Sequence, residues 1–200
     1  NVTDADIADA YAFGYVIKLL GVAQVVGNTK EAISIEVSPQ LVPFTHPLAT
    51  VHNENNAVLV NGESVGEVML YGPGAGEMPT ANSVLSDLTN VATDLALNTP
   101  GHPFNSFNQD LDLAKPSQRI ARRFIVVEVD DTPGAMYSVT GMFAAAKMSF
   151  TDLKQTPAAN GTARLVALTH PASDAQLNVI RTTLRNADGI NLAAEYKIFS

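Results

Sequence analysis

The spacing of apolar residues changes period several times along the chain, and each change marks an element. Ile7, Ala10, Tyr11 and Gly14 recur at helical spacing behind Thr3, which has Asp6 as a capping partner. A helix therefore opens the chain, and Gly14 ends it. Val16 to Val26 is apolar apart from Lys18 and Gln24, as in a strand with little exposure. Glu31 to Val37 alternates as a second strand. The stretch SPQLVPFTHP (38–47) carries three prolines and is expected to interrupt regular structure. His46 to Ala49 reads as a short turn or helix, and Asn53 to Asn56 as a turn. Ala57–Val60 and Val65–Tyr71 flank Asn61-Gly62-Glu63-Ser64, a hairpin signal. The second arm runs into YGPGAGEMPTANSVLSDL (71–88), with three glycines in five residues before an amphipathic helix. Pro79 sits in the first turn of that helix, where a missing N–H costs nothing. Val84, Leu85, Leu88, Val91, Ala92 and Leu95 are expected to form its buried face.

The remainder reads strand, helix, strand, strand, helix, strand. Phe124 to Val129 is apolar and rich in β-branched residues, and Asp130-Asp131-Thr132-Pro133-Gly134 is a turn whose Asp131 or Thr132 is placed to cap the next helix. Met136, Val139, Thr140, Phe143 and Ala144 follow at helical spacing. Ser149–Leu153 and Ala163–Thr169 are strands around the loop TPAANG. Ser173 caps a helix with Leu177, Ile180 and Leu184 on one stripe, Asn186–Gly189 ends it, and Ile190–Phe199 is the last strand. The order predicts a ferredoxin-like βαββαβ sandwich, a four-stranded antiparallel sheet with two helices on one face. The fold class is α+β: a partial mixed α/β sheet, then this second module.

Charge sharpens the division. Residues 1–97 carry two basic side chains, Lys18 and Lys30, against eleven acids, whereas residues 98–200 carry ten against nine. The shift falls on Asn98 to Gln118, a polar stretch with three prolines and no long apolar run. A structureless loop of that length inside one compact domain is unusual, so 98–118 reads as a linker between domains at 1–97 and 119–200. The net charge of −8 argues against nucleic acid or an acidic membrane as partner. No run of 18 apolar residues crosses a bilayer, and the acidic start is unlike a signal peptide. Zero cysteines exclude disulfides and thiolate metal sites and accord with a cytoplasmic location.

The glycine loop is the one element that invites a ligand. GPGAG is neither the dinucleotide fingerprint nor a lysine-bearing phosphate loop. It reads either as a tight strand-to-helix turn or as a place where backbone approaches a bound group closely. No nucleophile, base or metal cluster accompanies it, and no catalytic residue is assigned. His46, His52, His102 and His170 lack ligand spacing, so no metal site is expected. Lys18 reads as a structural or surface lysine. Arg119, Arg122 and Arg123 read as a solvated strand start, or as a group able to pair with the acidic first segment.

GYVIKLLGVAQ (14–24), VSPQLVPFTHPLATVHNENNAVLVNG (37–62) and YGPGAGEMPTANSVLSDL (71–88) resemble, in order and spacing, the later part of the homoserine dehydrogenase catalytic domain. That family interconverts L-homoserine and L-aspartate 4-semialdehyde, in threonine, methionine and isoleucine biosynthesis, with a nicotinamide cofactor on an N-terminal Rossmann domain. The resemblance places Gly76 beside the cofactor, with Gly74 and Ala75 shaping the turn. The family's G-x-D-x-x-x-K helix with its catalytic lysine, the Rossmann domain, the homoserine-contacting glutamate and the alkali-metal site are absent from these residues. The chain is then expected to be the rear portion of a longer enzyme, inactive by itself. NAD or NADP would belong to the full-length enzyme, with none bound to this portion.

VEVDDTPGAMYSVTGMFAAAKMSFTDLKQ and ARLVALTH resemble an ACT domain, a regulatory module of amino-acid biosynthetic enzymes. Such domains take an amino acid where the first strand meets the first helix, usually across a dimer interface. The resemblance carries that role to Asp131, Thr132, Pro133, Gly134 and Ala135, with Gln155 on the neighbouring strand, and makes threonine the expected effector. An uncovered face of the ACT sheet is expected to bring chains together as a homodimer or larger assembly. The competing reading is a free-standing amino-acid-binding regulatory protein whose first segment serves only for dimerisation.

Overall fold

The computed structural model describes residues 2–26, 32–99, 111–158 and 161–199. The chain divides into two compact units, one made of Asn1–Thr45 with Leu111–Ser200, the other of His46–Asp110. The first unit opens with α1 (Asp4–Ala12), β1 (Tyr15–Val26) and β2 (Ala32–Pro43). The second contains a 3-10 turn at Pro47–Thr50, β3 (Asn55–Gly62), β4 (Gly66–Pro73) and α2 (Glu77–Ala96). The first unit resumes with β5 (Asp112–Leu113), β6 (Ile120–Asp130), α3 (Ala135–Ala145), β7 (Phe150–Pro157) and β8 (Thr162–Thr169). It ends with β9 (Ala172–Ser173), α4 (Asp174–Arg185) and β10 (Ile190–Ile198). The compact units thus cut the chain differently from the division at 98–118. Within that stretch Asp112 and Leu113 pair with Ala32 and Ile33, while residues 100–110 lie outside the described ones.

The first unit is a mixed eight-stranded sheet ordered β1-β2-β10-β6-β8-β7, with β5 on β2 and β9 on β6. Its part from β10 to β7 has the βαββαβ order, every neighbouring pair antiparallel. A sheet separate from the first segment was expected; instead β10 also pairs with β2, in parallel, at Lys197↔Gln40 and Ile198↔Leu41. The second correction concerns the proline stretch. Ser38–Pro43 continues β2, and the register runs unbroken from Val26↔Ala32 to Tyr15↔Pro43. On its other side β2 is paired, among the described residues, only at 32–33 and 40–41. Pro39 and Pro43 therefore stand where no second strand asks for their N–H.

β6 is buried on both faces. Ile125, Val127 and Val129 pack with Val139 and Phe143 of α3 and Leu177, Ile180 and Leu184 of α4. Phe124 and Val126 face the other way, into a core with Ala10, Leu41, Val166, Leu168, Tyr196 and Ile198, flanked by Phe13, Tyr15 and Ile17. So the sheet face expected to be open is covered by the chain's own first segment. A bulge in β10 makes this possible. Leu192 pairs with Val127 but Ala194 with Val126, and the extra residue, Ala193, turns the later side chains to the opposite face.

In the second unit, β3 and β4 form the expected hairpin, with Val58 opposite Leu70 and Val60 opposite Val68. α2 has the expected apolar stripe, but Val84, Leu85, Leu88, Val91 and Leu95 are all exposed, and no residue of α2 is buried. Periodicity reports which face is apolar; burial also needs something to lie against it.

α1 is fastened to the sheet by charge. Thr3 and Asp6 form a capping box, and Asp6, only 2% exposed, accepts from Arg164 Nη2 at 2.5 Å and from the Tyr196 hydroxyl at 2.9 Å. Arg164 also donates to Asp9 at 2.7 Å and Glu128 at 3.2 Å. Burial, the largest influence on Asp6, would raise its pKa, but the bonds from Thr3, Tyr196 and Arg164 together hold it below its ordinary 3.8. Burial and the Asp6 charge push the Tyr196 hydroxyl from 10.0 up to about 12.

A depressed carboxyl contributes stability above its unfolded-chain pKa and loses that contribution as pH falls through the folded one. The Asp6 contribution is accordingly intact at neutral pH and lost in acid below 3.8. The raised Tyr196 works the other way, its contribution complete below 10.0 and lost as pH climbs through about 12. Arg164→Met should cost roughly 3–5 kcal/mol in urea unfolding at neutral pH, since it strands a buried carboxylate. Tyr196→Phe should cost less, about 1.5–3 kcal/mol, and flatten the alkaline limb. A loss under about 1 kcal/mol for Arg164→Met would mean that apolar contacts alone hold α1.

Candidate functional site

The glycine loop leaves β4 after Pro73 and enters α2 at Glu77. Gly74 donates its N–H to Glu54 O at 3.1 Å, which draws the turn against the start of β3. A Cβ on Gly74 would fall 1.6 Å from Asn56 Nδ2, so any side chain there displaces Asn56. Gly76 is the N-cap of α2 with φ +127°, a conformation L residues rarely adopt, and supplies no capping side chain. Its carbonyl accepts from Thr80 N at 3.1 Å. Gly74, Ala75 and Gly76 are exposed throughout. The sharp turn and the helix start without a side-chain cap leave this end of α2 exposed.

The β6–α3 turn is the second candidate. Gly134, at φ +95°, is the N-cap of α3, and no side chain caps that end, so neither Asp131 nor Thr132 has the capping role expected of it. The turn is closed instead by backbone: Thr132 N donates to Asp130 O at 2.8 Å and Ala135 N to Thr132 O at 3.2 Å. Asp131 N reaches Gly161 O at 2.9 Å, between β7 and β8. Gln155 Nε2 donates to Asp131 Oδ1 at 3.2 Å, so the residue taken from the neighbouring strand does meet the turn. Residues 131–134 are exposed and Ala135 is half-buried.

The remaining singled-out residues have structural partners. Lys18 lies in β1 opposite Gln40. His46 Nδ1 accepts from Leu48 N at 3.2 Å and caps the 3-10 turn, and the His52 carbonyl accepts from Asn55. His102 falls outside the described residues. Among the basic triplet, Arg119 and Arg123 approach Asp174 at the start of α4, and Arg122 donates to Thr151 and the Thr169 carbonyl. The acids of the first segment are held by other cations, Arg164 for Asp6 and Asp9 and Lys197 for Glu36. Arg164 was not singled out because a lone arginine inside ARLVALTH has no spacing to betray it.

Comparison with known proteins bears on both halves of the chain. Residues 1–89 match the family described as homoserine dehydrogenase. The homoserine dehydrogenase of Bacillus subtilis (strain 168) is 39% identical over 199 residues, covering 98% of this chain and 45% of that protein. That of Mycobacterium tuberculosis (strain ATCC 25618 / H37Rv) is 35% identical over 195 residues, covering 94% and 44%. Among solved structures, a homoserine dehydrogenase from Thiobacillus denitrificans superposes with a TM-score of 0.85 at 27% identity, over all of this chain and 46% of that one. The S. aureus enzyme at pH 6.0 gives a TM-score of 0.64 at 28% identity, over 100% and 46%. The chain spans under half the length of the relatives it matches. Along nearly all of its length the chain is similar to a stretch that makes up under half of these homoserine dehydrogenases.

Proposed function

We propose that this chain is the rear portion of a homoserine dehydrogenase, the NAD(P)-dependent enzyme that interconverts L-homoserine and L-aspartate 4-semialdehyde in threonine, methionine and isoleucine biosynthesis. The carrying observation is the open turn at Gly74–Gly76. A side chain at position 74 would have to displace Asn56, and position 76 has a conformation suited to glycine. Both features keep the N-terminal end of α2 bare for the cofactor, while the rest of its binding site and the proton-transferring groups come from the Rossmann domain and catalytic helix of the same polypeptide. The pure 200-residue chain should therefore give no homoserine-dependent reduction of NAD or NADP, followed by the absorbance of the reduced nicotinamide. Measurable turnover would overturn the assignment.

Residues 119–200 serve in this reading as an ACT domain through which threonine regulates the cytoplasmic enzyme. The support is the β6–α3 turn, where Gly134 leaves the end of α3 uncapped and Gln155 stands against Asp131. An effector's carboxylate would meet the free N–H groups of α3, and its polar end the Asp131–Gln155 pair. Calorimetric titration with threonine, methionine, isoleucine and lysine should show saturable heat for threonine. Gln155→Ala should weaken it about tenfold, one charge-assisted bond's worth. Threonine binding that ignores both Gln155→Ala and Gly134→Val would place the effector elsewhere.

The chain assembles, on this reading, as a homodimer or larger. The covered ACT-sheet face no longer argues for it; one face of the β1–β2 hairpin does. Leu19, Ile35 and Val37 are exposed at 72%, 60% and 74%. With Val25 they share one face in cross-strand register: Leu19↔Pro39, Gly21↔Val37, Ala23↔Ile35 and Val25↔Ile33. The row carries no charge, which suits a second copy of itself rather than a charged partner. Light scattering at micromolar concentration should give at least a dimer, and Ile35→Lys combined with Val37→Glu should halve the mass. A monomeric parent chain would refute this.

A further inference from the structure

The α3/α4 core includes no residue of β1 or β2, and beside α4, where β10 hands over to β2, a cavity of about 500 Å3 opens in the first unit. Four cations line it, Arg119, Arg123, Arg181 and Lys197, and three carboxylates, those of Glu36, Asp174 and Glu195. The wall thus has one positive charge in excess. The carboxylates are already engaged. Glu195 takes Arg181 in a two-pronged pair at 2.6 and 2.8 Å, Glu36 takes the Lys197 ammonium, and Asp174 takes Arg123 Nη2.

The unmet demand is on the arginine side. Arg123 is 3% exposed; its Nη1 stands 3.9 Å from Glu195, beyond hydrogen-bond reach, and its Nε has no acceptor among the described residues. Arg119 Nε lies 2.9 Å from Asp174 Oδ2 as an ion pair, yet it too lacks a hydrogen-bond acceptor among the described residues. Buried guanidinium nitrogens without acceptors are rare, because each has given up water for nothing. Burial pulls the Arg123 pKa down from its ordinary value, against the carboxylates of Asp174, Glu195 and Glu36 and with a smaller push from Arg181.

We propose that this cavity binds a small oxyanion, a carboxylate or a phosphate, between Arg123 and Arg119. The forked N–H geometry of guanidinium suits both groups, and one negative charge would neutralise the wall. The site differs from the β6–α3 turn, which lies at the other end of β6, and does not depend on the family reading.

The test is calorimetric titration of the whole chain with sodium phosphate and, separately, sodium succinate, at ionic strength held constant with chloride. Saturable binding is expected with at least one. Response to phosphate alone identifies a phosphate site, and response to succinate alone a carboxylate site. Arg119→Gln, at the mouth where the arginine side chain is 34% exposed, should loosen binding about tenfold or more. No saturation by either anion up to about 10 mM, or unaltered affinity in Arg119→Gln, would overturn the proposal and leave water as the missing acceptor. Should that variant not fold, phenylglyoxal labelling of the parent chain decides. Arg119 should be protected by the anion, and equal labelling with and without it refutes the site.

Discussion

Everything in the first unit depends on β6 having no free face. Its run FIVVEV sends Ile125, Val127 and Val129 towards α3 and α4 and Phe124 and Val126 towards α1 and the root of the β1–β2 hairpin. A strand of that composition left open on one side would expose large apolar side chains, and α1 with Leu41 prevents it. The cost of covering is that α1 brings two aspartates onto the sheet. Arg164, on the neighbouring strand, meets both, so the apolar contact and the charge clamp act on the same helix.

The bulge at Ala193 has consequences beyond register. It sends Tyr196 and Ile198 to the α1 side while leaving Glu195 and Lys197 on the α4 side. Tyr196 can then donate to Asp6, and Glu195 can take Arg181. Were Ala193 instead taken into regular pairing after Leu192, the polar and apolar positions of β10 would change places and Glu195 would face the core that contains Phe124. Ala193 and Ala194, at the same irregularity, also line the charged cavity beside α4.

Much of this was legible in the sequence where a local rule decides the outcome. Thr3 and Asp6 form their capping box, Ser173 caps its helix, and Leu177, Ile180 and Leu184 are buried; the hairpin forms too, though Asn61 and Gly62 pair within β3 and the turn is Glu63–Val65. Legibility failed where a distant partner decides. Pro39 and Pro43 look like strand breakers until β2 is known to lack a neighbour there. The stripe of α2 is helical as its period says, yet exposed. Arg119, Arg122 and Arg123 read as a solvated strand start or as partners of the acidic first segment, whereas Arg119 and Arg123 meet Asp174, brought close by α4. Both glycine turns were legible because positive φ is a local demand; the clamp at Arg164 was not, because its partners lie 155 and 158 residues away.

The proposed regulatory turn and the first segment are joined through β6 itself. Asp131 and Gly134 stand just beyond its C-terminal end, and Glu128, near that end, is one of the groups on Arg164. An effector that pulls on the turn therefore acts on a strand whose far face bears α1 and β2. Contiguity of this kind does not make a switch; a switch needs two arrangements of one element with different affinity for the effector. The element with the means to move is α1. It is held by few apolar residues, Ala10 being the buried one, and by a charge clamp whose strength depends on the position of Arg164. If threonine control operates as proposed, its effect should appear first in the contacts of Arg164 with Asp6 and Asp9, because Arg164 stands on the strand beside β6 and both partners lie on α1.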